Sequence, residues 1–222
     1  MQPRLPGPRR GDPAGGGVAA DRPVDGGSVP PDRPHRAGRQ VLPVRAGAPV
    51  LVTGFGAFPG VPINPTEALA RRLDGQQIAG HPIVGRVLPV SFQRGPDEAI
   101  RLARAHDVAL VLGLGVATPR GEVCVESRGV RIARSRRDVD GHDRPLPDTL
   151  LVEGPEIVAA SVDVDCLATA LEATVSDDAG RYVCNAWLYR VAHALDVPVG
   201  FVHVPTAGVA LDRLCRGIAA LL

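Results

Sequence analysis

The chain has 222 residues, 45% of them hydrophobic, with 25 basic against 24 acidic side chains and a net charge of +1. That length and apolar content suit one domain with a sizeable core plus a tail. The balanced charge gives no grounds for a nucleic-acid or acidic-membrane binder, and no apolar run is long enough to cross a bilayer. Residues 1–47 are dense in Pro, Gly and Arg and show no hydrophobic periodicity. Such a composition buries too little apolar surface to offset its ordering entropy, so the segment is expected to be disordered, with the folded domain over 48–222.

The domain opens with a short β-branched and Leu run over 48–55 bounded by glycine, which reads as a buried strand of a parallel sheet. Gly54-Phe55-Gly56-Ala57-Phe58-Pro59-Gly60 is then a tight loop holding two of the chain's four Phe residues. It fits neither G-x-G-x-x-G nor a P-loop: no Lys-Ser/Thr follows, and Pro59 removes an N–H, which argues against a phosphate site. Asn64-Pro65-Thr66-Glu67 starts a helix, with Asn as N-cap, Pro at the first position and Glu at the third. That helix is expected to run to about Leu73, before a turn at Asp74-Gly75.

A strand over 83–90, a helix over 95–106 and a nearly uniform apolar strand over 108–114 follow. Residues 122–132 alternate like a strand pair or an edge, and 134–147 reads as a polar surface loop. Leu167, Ala170 and Leu171 mark a helix within 164–174. Trp187, Leu188, Val191, Ala192 and Leu195 form the apolar stripe of a helix that begins at Cys184. A strand over 199–205 and a last helix over 209–222 close the chain. This rhythm predicts an α/β fold, a three-layer α/β/α sandwich around a mostly parallel twisted sheet. In such folds the site lies at the carboxyl ends of the strands, where the 54–60 loop and His203 both fall.

The four cysteines, Cys124, Cys166, Cys184 and Cys215, form no C-x-x-C pair, so neither a zinc site nor a redox motif is expected. Free thiols and the lack of a secretory pattern point to a cytoplasmic protein without cofactor or metal. Cys184 sits where a loop feeds a helix, and unpaired N–H groups with the dipole's positive end favour a thiolate there. A buried structural Cys is the competing reading. A His at the end of the next strand makes a Cys/His pairing worth testing.

At these residues the chain resembles the pyroglutamyl-peptidase I (pyrrolidone-carboxylate peptidase) family of cysteine peptidases. Four blocks carry the likeness in the family's order: residues 50–60 with Ile63-Asn64-Pro65, residues 120–126, Gly180-Arg181-Tyr182-Val183-Cys184-Asn185, and Gly200-Phe201-Val202-His203-Val204-Pro205. The resemblance implies a phosphorylase/hydrolase-like sandwich and a Cys184/His203/Glu126 triad. From the residues alone, Glu126 reads as a solvated strand position. The resemblance also implies that a pyroglutamyl ring packs on Phe55 and Phe58. Asn64 either contacts that ring or only caps its helix. Arg136 is implied as an oxyanion donor beside the Cys184 amide, on a loop crowded with Arg134 and Arg137. The implied partners are N-terminally pyroglutamylated peptides and, as a possibility, further copies of the chain.

The family's pattern is broken in places. Val116 stands where the family carries a Gln, which removes a polar partner for a buried ligand edge at a cost of ~1–3 kcal/mol. Residues 127–131 keep the family pattern only loosely, and the stretches before Gly180 and after Pro205 are short. The alternative to an active peptidase is therefore a homologue with altered specificity or no catalysis, acting as a binding protein.

Overall fold

In the computed structural model, residues 40–118, 120–131, 137–142 and 154–222 are described. The elements run β1 (Val50–Phe55), α1 (Pro65–Leu73), β2 (Gln77–Ile78), β3 (His81–Leu88), α2 (Arg94–Ala105), β4 (Leu110–Val116) and β5 (Cys124–Glu126). They continue with β6 (Arg128–Val130), β7 (Ile157–Ala159), α3 (Val164–Ala170), β8 (Thr174–Ser176), α4 (Val183–Ala194), β9 (Val199–Val204) and α5 (Leu211–Ala220). One sheet has the order β2-β3-β1-β4-β9-β5-β8, and β6 and β7 form a small second sheet. Within the main sheet β3, β1, β4 and β9 are mutually parallel. β2 and β5 run against their neighbours β3 and β9. The sheet is mostly parallel, as expected, with antiparallel insertions.

Alternation along β1 shows why there are three layers. A Cβ on Gly54 would stand 2.0 Å from the Thr66 carbonyl oxygen of α1, whereas the Phe55 ring lies 3.6 Å from the Cβ position of Gly95 in α2. Successive strand residues point to opposite faces, so α1 and α2 cover opposite sides. On β9, Gly200 faces Val162 ahead of α3, while the neighbouring Phe201 packs at a tilt on Trp187 of α4, the ring centroids 5.4 Å apart. Glycine at position 54 is what lets α1 approach the sheet so closely.

The start of α1 matches its sequence signature: Asn64 is the N-cap, its side chain accepting from the Thr66 amide, and Pro65 opens the helix. The helix expected over 164–174 ends at Ala170, and Thr174–Ser176 instead pairs with β5 as β8. The residues expected as a strand pair or an edge divide between two sheets, β5 joining β9 and β6 joining β7. The predicted surface loop over 134–147 is described only at 137–142, where Asp138 is buried and accepts from the Phe92 amide at 2.9 Å.

Residues 1–39 lie outside the described residues. The last part of the stretch expected to be disordered nevertheless lies on the domain. The Leu42 amide donates to the Ser161 carbonyl at 3.0 Å, Val44 packs on the core, and Arg45 pairs with Asp107 at 3.0 Å. The short apolar run Val41-Leu42-Pro43-Val44, hidden in a polar composition, accounts for these contacts.

Candidate active site

The sheet order reverses direction between β1 and β4, since the chain adds β3 on one side of β1 and β4 on the other. At the carboxyl ends of such strands a crevice forms, because the two flanking loops leave in opposite directions. A cavity of about 340 Å³ lies there. It is lined by Val116 at the end of β4, the following Ala117 and His203 of β9, together with Phe55, Phe58 and Asn64. Arg120 and the run from Ala179 to Cys184 also line it.

Cys184 is the second residue of α4, whose N-cap Tyr182 makes no side-chain capping bond. The first-turn amides of a helix, that of Cys184 among them, have no helical acceptor and point at whatever lies ahead of the helix. Gly115 and His203 are register partners in the β4–β9 ladder. A Cβ on Gly115 would meet the Cys184 Sγ at 2.8 Å, so the sulfur rides directly over that pair. Phe201 anchors the arrangement from below, edge-on to the His203 ring at 5.1 Å.

Glu126 reaches the same point from β5. In the antiparallel β5–β9 ladder it is opposite Phe201, which makes His203 its diagonal neighbour on the same face, within reach of a long side chain. The His203 Nδ1 and the Glu126 Oε1 are 2.7 Å apart. The same oxygen accepts from Arg120 Nη1 at 2.6 Å, and Arg120 also donates to Ser176 Oγ at 3.2 Å and to the Asp178 carbonyl. Glu126 is fully buried and His203 is 4% exposed.

These contacts set the protonation states. Burial alone would lower the His203 pKa, but the charge of Cys184, a hydrogen bond to its sulfur and the Glu126 carboxylate outweigh it and raise His203 to about 9. Burial alone would raise Glu126. The hydrogen bond to His203 and the charges of His203 and Arg120 overcome it, and Glu126 lies below its ordinary value. The ring is thus held protonated across neutral pH beside a carboxylate that stays ionised.

The remaining predicted residues divide. Phe55 and Phe58 line the cavity, and the ring of Tyr182 joins them, 6.2 Å from Phe58 and edge-on to Phe92 at 5.4 Å. Asn64 also lines it, but its polar atoms are engaged: Nδ2 donates to the Gly56 carbonyl at 3.1 Å, and Oδ1 accepts from the Thr66 amide and hydroxyl. It holds the 54–60 loop onto α1. Arg136 lies outside the described residues. Sequence reasoning left three residues without a role. Arg120 braces Glu126 across a turn no periodicity marks. Tyr182 was visible as an aromatic beside the Cys. Asn185 clamps β6 to α4, its side chain accepting from the Val130 amide and donating to the Val130 carbonyl, each at 2.8 Å.

Comparison with known proteins identifies the family and the fold. Residues 48–214 match the family described as pyroglutamyl peptidase. The pyrrolidone-carboxylate peptidase of Chromobacterium violaceum is 32% identical over 161 residues, covering 70% of this chain and 77% of that protein. The one from Thermococcus litoralis is 34% identical over 167 residues, covering 70% and 76%. The solved structure of the Thermococcus litoralis pyrrolidone carboxyl peptidase aligns with a TM-score of 0.70 at 29% identity, over 78% of this chain and 91% of that one.

Proposed function

The chain belongs to the pyroglutamyl peptidase family, and from that premise we propose that Cys184, His203 and Glu126 remove N-terminal pyroglutamate from peptides by thiol acyl transfer. The observation that carries the assignment is the placement of the Cys184 sulfur over Gly115, the register partner of His203, with Cys184 and His203 lining one cavity at the strand ends and the His203 ring bonded to the buried Glu126 carboxylate at 2.7 Å. His203, as the imidazolium, carries the proton given up by Cys184, and the thiolate attacks the pyroglutamyl carbonyl carbon. The oxyanion that forms is met by the Cys184 amide at the start of α4. As the C–N bond breaks, the His203 imidazolium gives its proton to the departing amine and leaves a thioester. Water, deprotonated by His203, then hydrolyses the thioester and returns the proton to the sulfur.

The lactam ring of the substrate has an apolar body and an amide edge. Phe55, Phe58 and Tyr182 supply surface for the body. In the cavity lining, Val116 offers nothing to the edge, which supports a second reading: an enzyme of weakened or shifted specificity. The peptide substrates belong to a reducing, cytoplasmic setting, in keeping with four free thiols. No helix of the described residues is long and apolar enough to cross a membrane.

The test is release of a fluorescent amine from a pyroglutamyl amide by the wild-type chain and by Cys184→Ala, with a proline amide as control. Thiol-dependent, pyroglutamate-selective release that vanishes in Cys184→Ala is expected. A folded wild type that releases nothing overturns the peptidase reading. Equal release from both amides overturns the assigned specificity.

A further inference from the structure

Beside the active-site cavity lies a second groove of about 250 Å³, walled by Val130, Arg131, Glu156, Ile157 and Arg181. Arg181 borders both cavities. The second groove stands at the end of the β6–β7 ladder, where Val130 faces Ile157. Its position relative to the nucleophile is fixed by Asn185, which follows Cys184 and grips Val130 through both backbone groups. A Cβ on Gly129 would approach the Tyr189 amide to 2.6 Å, so β6 lies tight against α4 with no room to slide.

The charges around this passage are unequal. Arg181 is exposed and makes no hydrogen bond or ion pair among the described residues. Arg131 is 3.7 Å from Glu156, a carboxylate left 87% exposed. The Asp178 side chain accepts from the Gly180 amide at 3.0 Å. A guanidinium without a partner among the described residues, at the junction of two cavities, one of which holds the nucleophile, suits an anionic group on a ligand that enters both.

We infer that the substrate segment beyond the scissile bond crosses Arg181 into this second groove, and that Arg181 selects peptides presenting a carboxylate within the first residues after pyroglutamate. The inference rests on the peptidase reading and adds to it a binding site for the leaving peptide. An extended chain advances about 3.3 Å per residue, so the residues next to the cleaved bond are the ones that meet Arg181. The carboxylate can come from an acidic side chain or from the free C-terminus of a short peptide.

Four substrates separate these sources: pyroglutamyl-Glu-Ala-amide, pyroglutamyl-Ala-Ala with a free C-terminus, pyroglutamyl-Ala-Ala-amide and pyroglutamyl-Lys-Ala-amide. At low ionic strength, where an exposed pair is least screened, kcat/KM should rise by up to about fivefold for a carboxylate-bearing peptide over the neutral amide. It should fall for the Lys peptide. Arg181→Gln should flatten the series, and Arg181→Glu should invert the Glu and Lys peptides. Whichever carboxylate source gives the larger gain identifies the ligand. An unchanged ranking in Arg181→Glu overturns the inference. Failure of the wild type to cleave any pyroglutamyl amide would instead sink the peptidase reading. Calorimetric affinities of the same four peptides for Cys184→Ala then decide the groove independently, and equal affinities overturn it.

Discussion

Replacing Glu126 with Ala removes in one step the acceptor shared by Arg120 and His203. A hydrogen bond to a charged group contributes about 1.5–3 kcal/mol, and a pKa moves one unit per 1.36 kcal/mol. The loss therefore lowers the His203 pKa by about one to two units from its value of about 9. The sign follows from the direction of the shift: a raised pKa means the protonated ring persists until the pH passes about 9, and the variant loses it earlier. The alkaline limb of the kcat/KM profile should move to roughly 7–8, with close to a tenfold loss at about pH 8.5 from protonation alone. Removing one partner of a buried charged pair costs ~3–5 kcal/mol, and because the Arg120 side chain is 29% exposed the thermal destabilisation should sit at the low end. Glu126→Gln keeps the volume and one acceptor oxygen, so it should lose less stability and still show the alkaline shift. Profiles of fluorescent-amine release from about pH 5 to 10, paired with thermal melts, check both variants. A Glu126→Ala enzyme with its alkaline limb still near 9 and kcat/KM within about twofold would refute the electrostatic role.

Three further outcomes are expected. Val116→Gln returns an amide to the cavity lining and should raise kcat/KM for pyroglutamyl over prolyl amides about tenfold, from ~1–3 kcal/mol for a restored buried partner; an unchanged ratio would mean that the lactam edge is met elsewhere. Gly115→Ala places a Cβ 2.8 Å from the Cys184 Sγ and from the Phe201 Cζ. It should cost ~1–3 kcal/mol of stability but on the order of a hundredfold in kcat/KM, because the sulfur itself must move. Limited iodoacetamide should label Cys184 first, with activity falling in proportion by mass-spectrometric mapping. Its competitors are disfavoured: Cys124 is buried, Cys166 bonds the Ala220 carbonyl at 3.3 Å, and burial with the Asp212 charge pushes the Cys215 thiol up.

Local chemistry made much of the site legible. The Asn64 cap, the apolar stripe of α4 and the all-apolar β4 are periodicities and capping preferences, and each folds as read. Cys184 and His203 were legible because a helix start and a strand end are marked in the sequence. Glu126 was not, since its alignment with His203 comes from β5 entering antiparallel beside β9, a contact across 77 positions that no local pattern encodes. A three-residue strand carries too little periodicity to show its buried face. The contacts of residues 42–45 with the domain were illegible for a related reason: the short run Val41-Leu42-Pro43-Val44 sits in a Pro/Arg background that averages it away.

The departures from the family pattern fall where they leave this geometry alone. The side chains of the proposed triad are held by sheet registers and by packing: His203 by the ladder to Gly115, Glu126 by the diagonal across β5 and β9, Cys184 by an α4 whose Trp187 packs on Phe201. Val116 is the last residue of β4, β6 is an edge clamped from outside by Asn185, and the short stretches before Gly180 and after Pro205 are connections. Buried registers resist change because one slip flips every side chain to the wrong face, whereas strand ends and loops accept substitution. Divergence of this kind alters what the cavity grips before it alters how the bond is broken. For pyroglutamyl amides the expected signature is a raised KM with kcat retained, and Val116→Gln should lower KM more than it raises kcat. A chain with low kcat and ordinary KM would instead place the divergence in the triad's own alignment, and the registers described here would be too loose to hold it.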